Sequence, residues 1–405
     1  MRKTSSFLVT AGLLAHALLV PISIAGMQIA LGVAAVGLLL AAVGGARPVR
    51  TPLDWPLLAF VAVAIASDVL SSYGAPTLSF ATLWRAALGF WIVAQGLRLA
   101  RPGTAVHMLA HVALGLGLAS IVGLVQYRTG IDPVHLLHLR AAPQWVEAPG
   151  VPGRFGAMGF FTSRLSFGHN AAVLLALLSG ALAADALPRK LRAPVAIAVL
   201  LGLAAVAATF DRGAWLGLCA AAALLALLSP ARRSIVLVLA MAAVLASLAP
   251  GVRARFVSAF DARANGDRVF LWARAGEIIR DHPVAGIGFA NYPRVCGAYY
   301  DRVDPTFFMR TWAHNSELSL LAETGPLGVL AFLWVVGAAA RALWRRRGEP
   351  FATGALAAGA ALLVIAQVHD VFYDTKVMYA LWLALALGLY GTQAPPRGSP
   401  TATGA

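Results

Sequence analysis

Apolar stretches of about 17–25 residues recur along the chain, separated by short polar breaks. A run of that length is what a helix needs to cross the ~30 Å hydrocarbon core of a bilayer. The runs are continuous and lack the alternation of barrel strands, so a helical bundle is the spanning form they permit. Composition agrees. Of 405 residues, 60% are hydrophobic and 12% charged, where a soluble domain carries about 25% charged residues. The expected fold is an all-α polytopic membrane protein. About twelve transmembrane helices are predicted near 7–22, 24–44, 55–71, 79–97, 104–126, 167–186, 193–210, 213–229, 234–250, 327–344, 352–368 and 377–392.

Lysine and arginine set the expected orientation. With Arg2 and Lys3 in the cytoplasm, the connections on that side carry Arg47 and Arg50, Arg98 and Arg101, Arg189, Lys190 and Arg192, Arg232 and Arg233, and Arg341 with Arg345, Arg346 and Arg347. The short opposite connection Ser71–Leu78 carries none. The positive-inside rule therefore predicts cytoplasmic N- and C-termini. It accounts for about half of the net charge of +15, so the basic balance does not call for nucleic acid. Two long outward segments, 127–167 and 251–326, hold much of the remainder, which suits attraction to anionic lipids. They are expected as insertions in a single transmembrane domain, 1–392, followed by a disordered cytoplasmic tail, 393–405, rich in Pro, Gly, Ser and Thr. The first apolar run lacks a clean small-x-small cleavage site and another apolar run follows at once, so it reads as a retained helix. Cys219 and Cys296 lie at different depths, which disfavours a disulfide.

Within the second outward segment, Val269–Arg280 has the period of an amphipathic helix: Phe270, Leu271, Ala275, Ile278 and Ile279 on one face, Arg274, Glu277 and Arg280 opposite. Candidate chemistry gathers around it. Arg212 sits in a very short break between two apolar runs, either paired with a carboxylate such as Asp211 or holding an anion. Arg268 stands at the start of the amphipathic helix, where N–H groups already favour anions, or is a solvated surface residue. His314 lies where the chain re-enters the apolar region. It is either part of a helix start or a base able to take a proton from a hydroxyl near neutral pH. Glu317, one turn on, could orient that ring or cap the helix. Arg164, His169 and Asn170 are second-tier candidates at the mouth of another span. His369, Asp370, Asp374 and Lys376 form a polar turn, and Arg85 lies inside the fourth predicted span. No Walker A loop, HExxH, paired cysteines, Gly-x-Ser-x-Gly or Asp-x-Asp is present. Neither a cofactor nor a metal is called for on these motifs. Arginines beside one base suit a substrate already activated by a pyrophosphate leaving group.

The block His314-Asn-Ser-Glu-Leu-Ser-Leu-Leu-Ala-Glu-Thr-Gly-Pro-Leu-Gly328 resembles the His-Asn…Leu…Glu-x-Gly-x-x-Gly signature of the O-antigen ligase and O-antigen polymerase superfamily. Asp281-His-Pro-Val-Ala-Gly-Ile-Gly-Phe-Ala-Asn291, Phe210-Asp-Arg-Gly-Ala-Trp-Leu-Gly217 and Gly266-Asp-Arg268 are similar to three further blocks. Asp211 departs from the small hydroxyl residue common there. The resemblance implies a bacterial inner-membrane glycosyltransferase with a periplasmic active site. Its donor would be a glycan on undecaprenyl pyrophosphate, its acceptor lipid A–core, and neither nucleotide nor metal would be needed. His314 would be the general base, and Arg212 and Arg268 would hold the pyrophosphate. Length and the compact tail favour the ligase over the polymerase and the protein O-oligosaccharyltransferases. A transporter or flippase of a lipid-linked anion is the reading from a different class.

Overall fold

The computed structural model describes residues 2–74, 77–137, 147, 152–229, 250–257, 266–304 and 312–392. The described residues are helical throughout, without strands. Nine helices precede the large segment: α1 (Arg2–Leu19), α2 (Ile24–Val43), α3 (Asp54–Leu70), α4 (Thr77–Leu99), α5 (Thr104–Thr129), the single turn α6 (Pro133–Leu136), α7 (Arg164–Ala183), α8 (Arg189–Ala207) and α9 (Arg212–Leu228). Three shorter ones follow: α10 (Pro250–Val257), α11 (Gly266–Asp281) and α12 (Tyr292–Tyr300). The chain closes with α13 (Ser316–Arg345), α14 (Ala352–Ala366), a 3-10 turn at Val371–Tyr373, and α15 (Thr375–Tyr390).

Helices stand at the predicted apolar runs, except 234–250, which lies outside the described residues, as do the tail 393–405 and the side chain of Arg85. Among the described residues five helices, α2, α5, α7, α8 and α13, are long and apolar enough to cross a membrane. This makes the chain an integral membrane protein. Helix α7 is the bundle's axis. Phe167, Ala171, Ala172, Val173, Leu174 and Leu177 are all completely buried, as expected of a helix apolar on every side. It packs on α8, α9, α14 and α15, while α1 pairs with α2 and α5, and α3 with α13.

A second, smaller core lies outside the main one. The amphipathic face of α11 buries Leu271, Ala275 and Ile278 against Tyr292, Val295, Cys296, Tyr299 and Tyr300 of α12 and against Ala313 and Ala322. On its other face Arg274 pairs with Glu277 at 3.1 Å. The join between the two cores is the break in α13. Gly325 has φ 64° and ψ −172°, a backbone region open to glycine alone. There α13 bends around the loop 282–291. Ile287 N–H donates to Ala322 C=O at 3.0 Å and Gly288 N–H to Glu323 C=O at 2.9 Å. From α3, Ser67 Oγ lies 2.7 Å from both Ala285 O and Glu323 O. Ser71 Oγ donates to Ile287 O at 2.5 Å. The Glu323 carboxylate accepts from Tyr292 N–H at 2.8 Å and Tyr373 O–H at 2.7 Å. Glu323 thus ties together three distant stretches of the chain.

Candidate active site

Four stretches converge at one end of the bundle: the start of α7, the turn between α8 and α9, the residues before α13, and the turn at 367–374. Asp211 is their hub. It is 2% exposed and caps α9, its Oδ1 accepting from the Gly213 N–H at 3.0 Å. Oδ2 lies 2.7 Å from Nε2 of His169, and Oδ1 lies 3.2 Å from Nε2 of His369. His369 covers the start of α9 so closely that a Cβ on Gly213 would meet its Cδ2 at 2.7 Å. The glycine after Arg212 is therefore a steric requirement for this histidine. Burial alone would raise the Asp211 pKa, but the two imidazoles outweigh it and hold the carboxyl well below its usual range. Burial lowers His369 to about 4 against the pull of Asp211. At neutral pH the hub is an anionic carboxylate beside a neutral His369.

His314 sits next to this hub, its ring edge-on to His369 with centroids 6.0 Å apart. Its φ of 52° is left-handed, a strained conformation for a residue with a side chain. Asn315, immediately after, performs the capping: its Oδ1 accepts from Leu318 N–H at 2.9 Å. The His314 side chain is thereby released from helix-end duty. Burial, then the charge of Arg268, lowers its pKa below the ordinary 6.5. His314 is a neutral, partly buried base at physiological pH.

Arginines surround the pair. Arg164 Nη1 donates to Thr209 O at 2.8 Å and Arg255 Nε to Phe210 O at 3.2 Å, so both grip the turn that carries Asp211. Arg212 lies in the field of Arg255, Arg268 and Asp211, and Arg268 in that of Asp211 and Arg255. Guanidinium groups keep their charge. Guanidinium groups gathered in this way suit a multiply charged anion.

The predicted residues divide. Arg212, Arg268, His314, Arg164 and His169 gather here. Asn170 does not serve the site: it is wholly buried and donates from Nδ2 to Lys376 O at 2.8 Å, locking α7 to α15. Glu317 is not hydrogen-bonded to His314: its Oε1 accepts from Gln367 Nε2 at 3.0 Å. The pairing of Arg212 with Asp211 also gives way to a different arrangement, because both Asp211 oxygens are turned to imidazoles and the helix cap. Arg255 and the junction of His369 with Asp211 went unpredicted. The Asp-Arg-Gly turn held a usable signal: an aspartate capping a helix buries its charge when glycine admits a neighbour. Asp370 is also buried here, its pKa raised by burial to about 7 against the hydrogen bond from Ser319 Oγ at 2.5 Å.

Residues 197–333 match the family model described as O-antigen ligase. This match, over about a third of the chain, supports a member of the O-antigen ligase and polymerase superfamily. The matched residues contain Asp211, Arg212, Arg255, Arg268 and His314 and leave out His169 and His369. Members of the superfamily are glycosyltransferase-like enzymes acting on lipid-linked glycans. No curated protein matches the chain. An apolar cavity of about 360 Å³ runs along α13, α14 and α15, and Phe372 and Tyr373 of the 367–374 turn stand in its wall. Phe289, Leu320 and Tyr373 line it near the site and Leu343 and Trp344 at its far end. Beyond the break in α13, the wall from Phe332 to Trp344 follows about 18 Å of helix. The donor atoms of His169, Asp211 and His369 lie within 4.8 Å of one another, a set able to hold a metal ion.

Proposed function

We propose that the chain is an O-antigen ligase of the inner membrane. It would transfer a glycan from undecaprenyl pyrophosphate to a sugar hydroxyl of lipid A–core on the periplasmic face, without nucleotide. The observation that carries this reading is His314, in the field of Arg268 and edge-on to His369, next to the Asp211 turn around which Arg164, Arg212 and Arg255 gather. Each part answers one part of the donor. The cavity suits the polyprenyl chain, since it is lined by apolar side chains along the span of a helix. Arg212 and Arg268, joined by Arg164 and Arg255, suit the pyrophosphate through charge-assisted hydrogen bonds.

In the transfer, the acceptor oxygen attacks the anomeric carbon while His314 takes the hydroxyl proton. The bond from that carbon to the pyrophosphate oxygen breaks, and the leaving group keeps the electron pair. The arginines stabilise the negative charge that develops there, which is where fixed positive groups lower a barrier most. Attack opposite the leaving group inverts the anomeric centre. His369, neutral and edge-on to His314, keeps a second positive charge away from the base.

The test uses purified protein in nanodiscs with undecaprenyl-pyrophosphate-linked glycan and lipid A–core, and no added nucleotide. A ladder of glycan-bearing lipid A, absent for His314→Ala, is the expected result. Longer lipid-linked glycan without the ladder would make the chain a polymerase. No covalent product from folded protein would overturn the enzymatic reading in favour of a transporter.

A further inference from the structure

We propose that His169, Asp211 and His369 bind a divalent transition-metal ion of the zinc class, which clamps the start of α7, the cap of α9 and the 367–371 turn together. The proposal does not rest on the transfer reading and concerns a structural ion, with His314 still carrying the proton.

The geometry points there first. His169 Nε2 and Asp211 Oδ2 are 2.7 Å apart, yet they are not aligned as a hydrogen bond, and among the described residues neither atom has a hydrogen-bond partner. Both residues are more than nine-tenths buried. An ion pair this close and outside hydrogen-bond alignment calls for an explanation, and a common third atom between the two would supply it. His369 brings its own Nε2 to the same carboxylate at 3.2 Å, and the two imidazoles lie with centroids 4.6 Å apart. Zinc bonded at about 2.0–2.1 Å in a tetrahedral site sets its ligand atoms about 3.3–3.4 Å apart. The His169–Oδ2 separation needs to open by a little over half an ångström, and the donor atoms of all three residues already lie within 4.8 Å of one another.

Chemistry agrees with the spacing. Two imidazoles and one carboxylate form a donor set that zinc and its neighbours accept. Asp211 would bind through Oδ2, while Oδ1 keeps the Gly213 N–H and fixes the carboxylate's orientation, as outer contacts of metal sites do. The three ligands come from positions far apart in sequence, so an ion there would cross-link the bundle where the loops converge. The nearby arginines oppose a further cation, so the site should bind more weakly than a four-ligand structural zinc centre.

The experiment takes tag-free full-length protein in detergent, loads it with Zn²⁺, dialyses it and measures metal per chain by mass spectrometry. Melting is followed with and without Zn²⁺. About one equivalent is expected for the wild type, with a melting temperature raised by zinc. His369→Gln and His169→Gln retain a similar size and a donor toward Asp211. Each should melt normally without zinc but lose the bound ion and the zinc-dependent shift, an affinity loss of more than about 100-fold. His107→Ala, which removes an exposed histidine, should keep both. Wild-type protein holding less than about a tenth of an equivalent, with no shift, would overturn the proposal and leave an ion pair. Zinc retained by both glutamine variants would overturn it too, placing the ion on surface histidines. None of these readouts depends on glycan transfer.

Discussion

Substituting Gly325 by alanine tests the argument that the break in α13 positions the site. A Cβ at Gly325 would lie 2.0 Å from Val284 O and 2.7 Å from Val284 C. Ordinary contact begins near 3.4 Å, so α13 and the loop 282–291 must part by roughly 1.4 Å. That separation breaks the Ile287–Ala322 and Gly288–Glu323 backbone hydrogen bonds and loosens Ser67 from this join. Three such bonds contribute about 1 kcal/mol each. Holding alanine in a glycine-only conformation costs about 1–3 kcal/mol more. The total is about 4–6 kcal/mol, or three to four orders of magnitude in the folded ratio. Gly337→Ala, twelve positions along the same helix, has nothing within 4 Å of the new Cβ. It should be neutral or stabilising by about 0.5–1 kcal/mol. Thermal melting of both variants in one detergent, read by fluorescence-detected size exclusion, makes the comparison. Gly325→Ala melting with the wild type, with undiminished glycan transfer, would refute both the steric account and the positioning role of the kink.

His314→Ala should reduce transfer by about 10²–10⁴-fold with little change in melting, measured by single-turnover kinetics. Because burial and Arg268 lower the His314 pKa, the base stays available at neutral pH and activity should fall only below 6.5. Arg268→Gln removes one of these causes and should move that acid limb upward in a pH–rate profile, on top of weaker donor binding. Arg212→Lys and Arg268→Lys should each remain impaired, since an ammonium does not reproduce the two-pronged contact of a guanidinium; full activity of both would count against pyrophosphate binding. Gly359→Leu fills cavity space, as nothing lies within 4 Å of a Cβ there. It should raise KM for a long-chain prenyl donor and leave a short-chain donor unchanged.

Helix positions were legible because apolar runs of spanning length leave the backbone few alternatives. The amphipathic helix at 266–281 was legible for a related reason: its buried face repeats with the helical period. Arg212, Arg268 and His314 stood out because charged or titratable groups at the edge of apolar runs need a reason to be there. The hub was harder to read. Asp211 meets His369 across 158 positions, and no local period reports so distant a pairing. Arg255 was hidden among other basic residues of an outward segment. Asn170 and Glu317 misled for the opposite reason. Their side chains sit beside the right motif in sequence, but the helix turns Asn170 into packing against α15 and Glu317 toward Gln367.

The small outer core has a kinetic consequence. Its apolar groups are separate from those of the bundle, so it can open while the bundle stays closed, and the two regions exchange with solvent at different rates. Cys296 is wholly buried within that core, whereas Cys219 is exposed on α9. In a Cys219→Ser background, the rate at which a water-soluble thiol reagent modifies Cys296 therefore clocks the opening of the outer core alone. A bound substrate that bridges Arg268 of α11 to Arg212 of α9 would slow that clock without touching the cysteine.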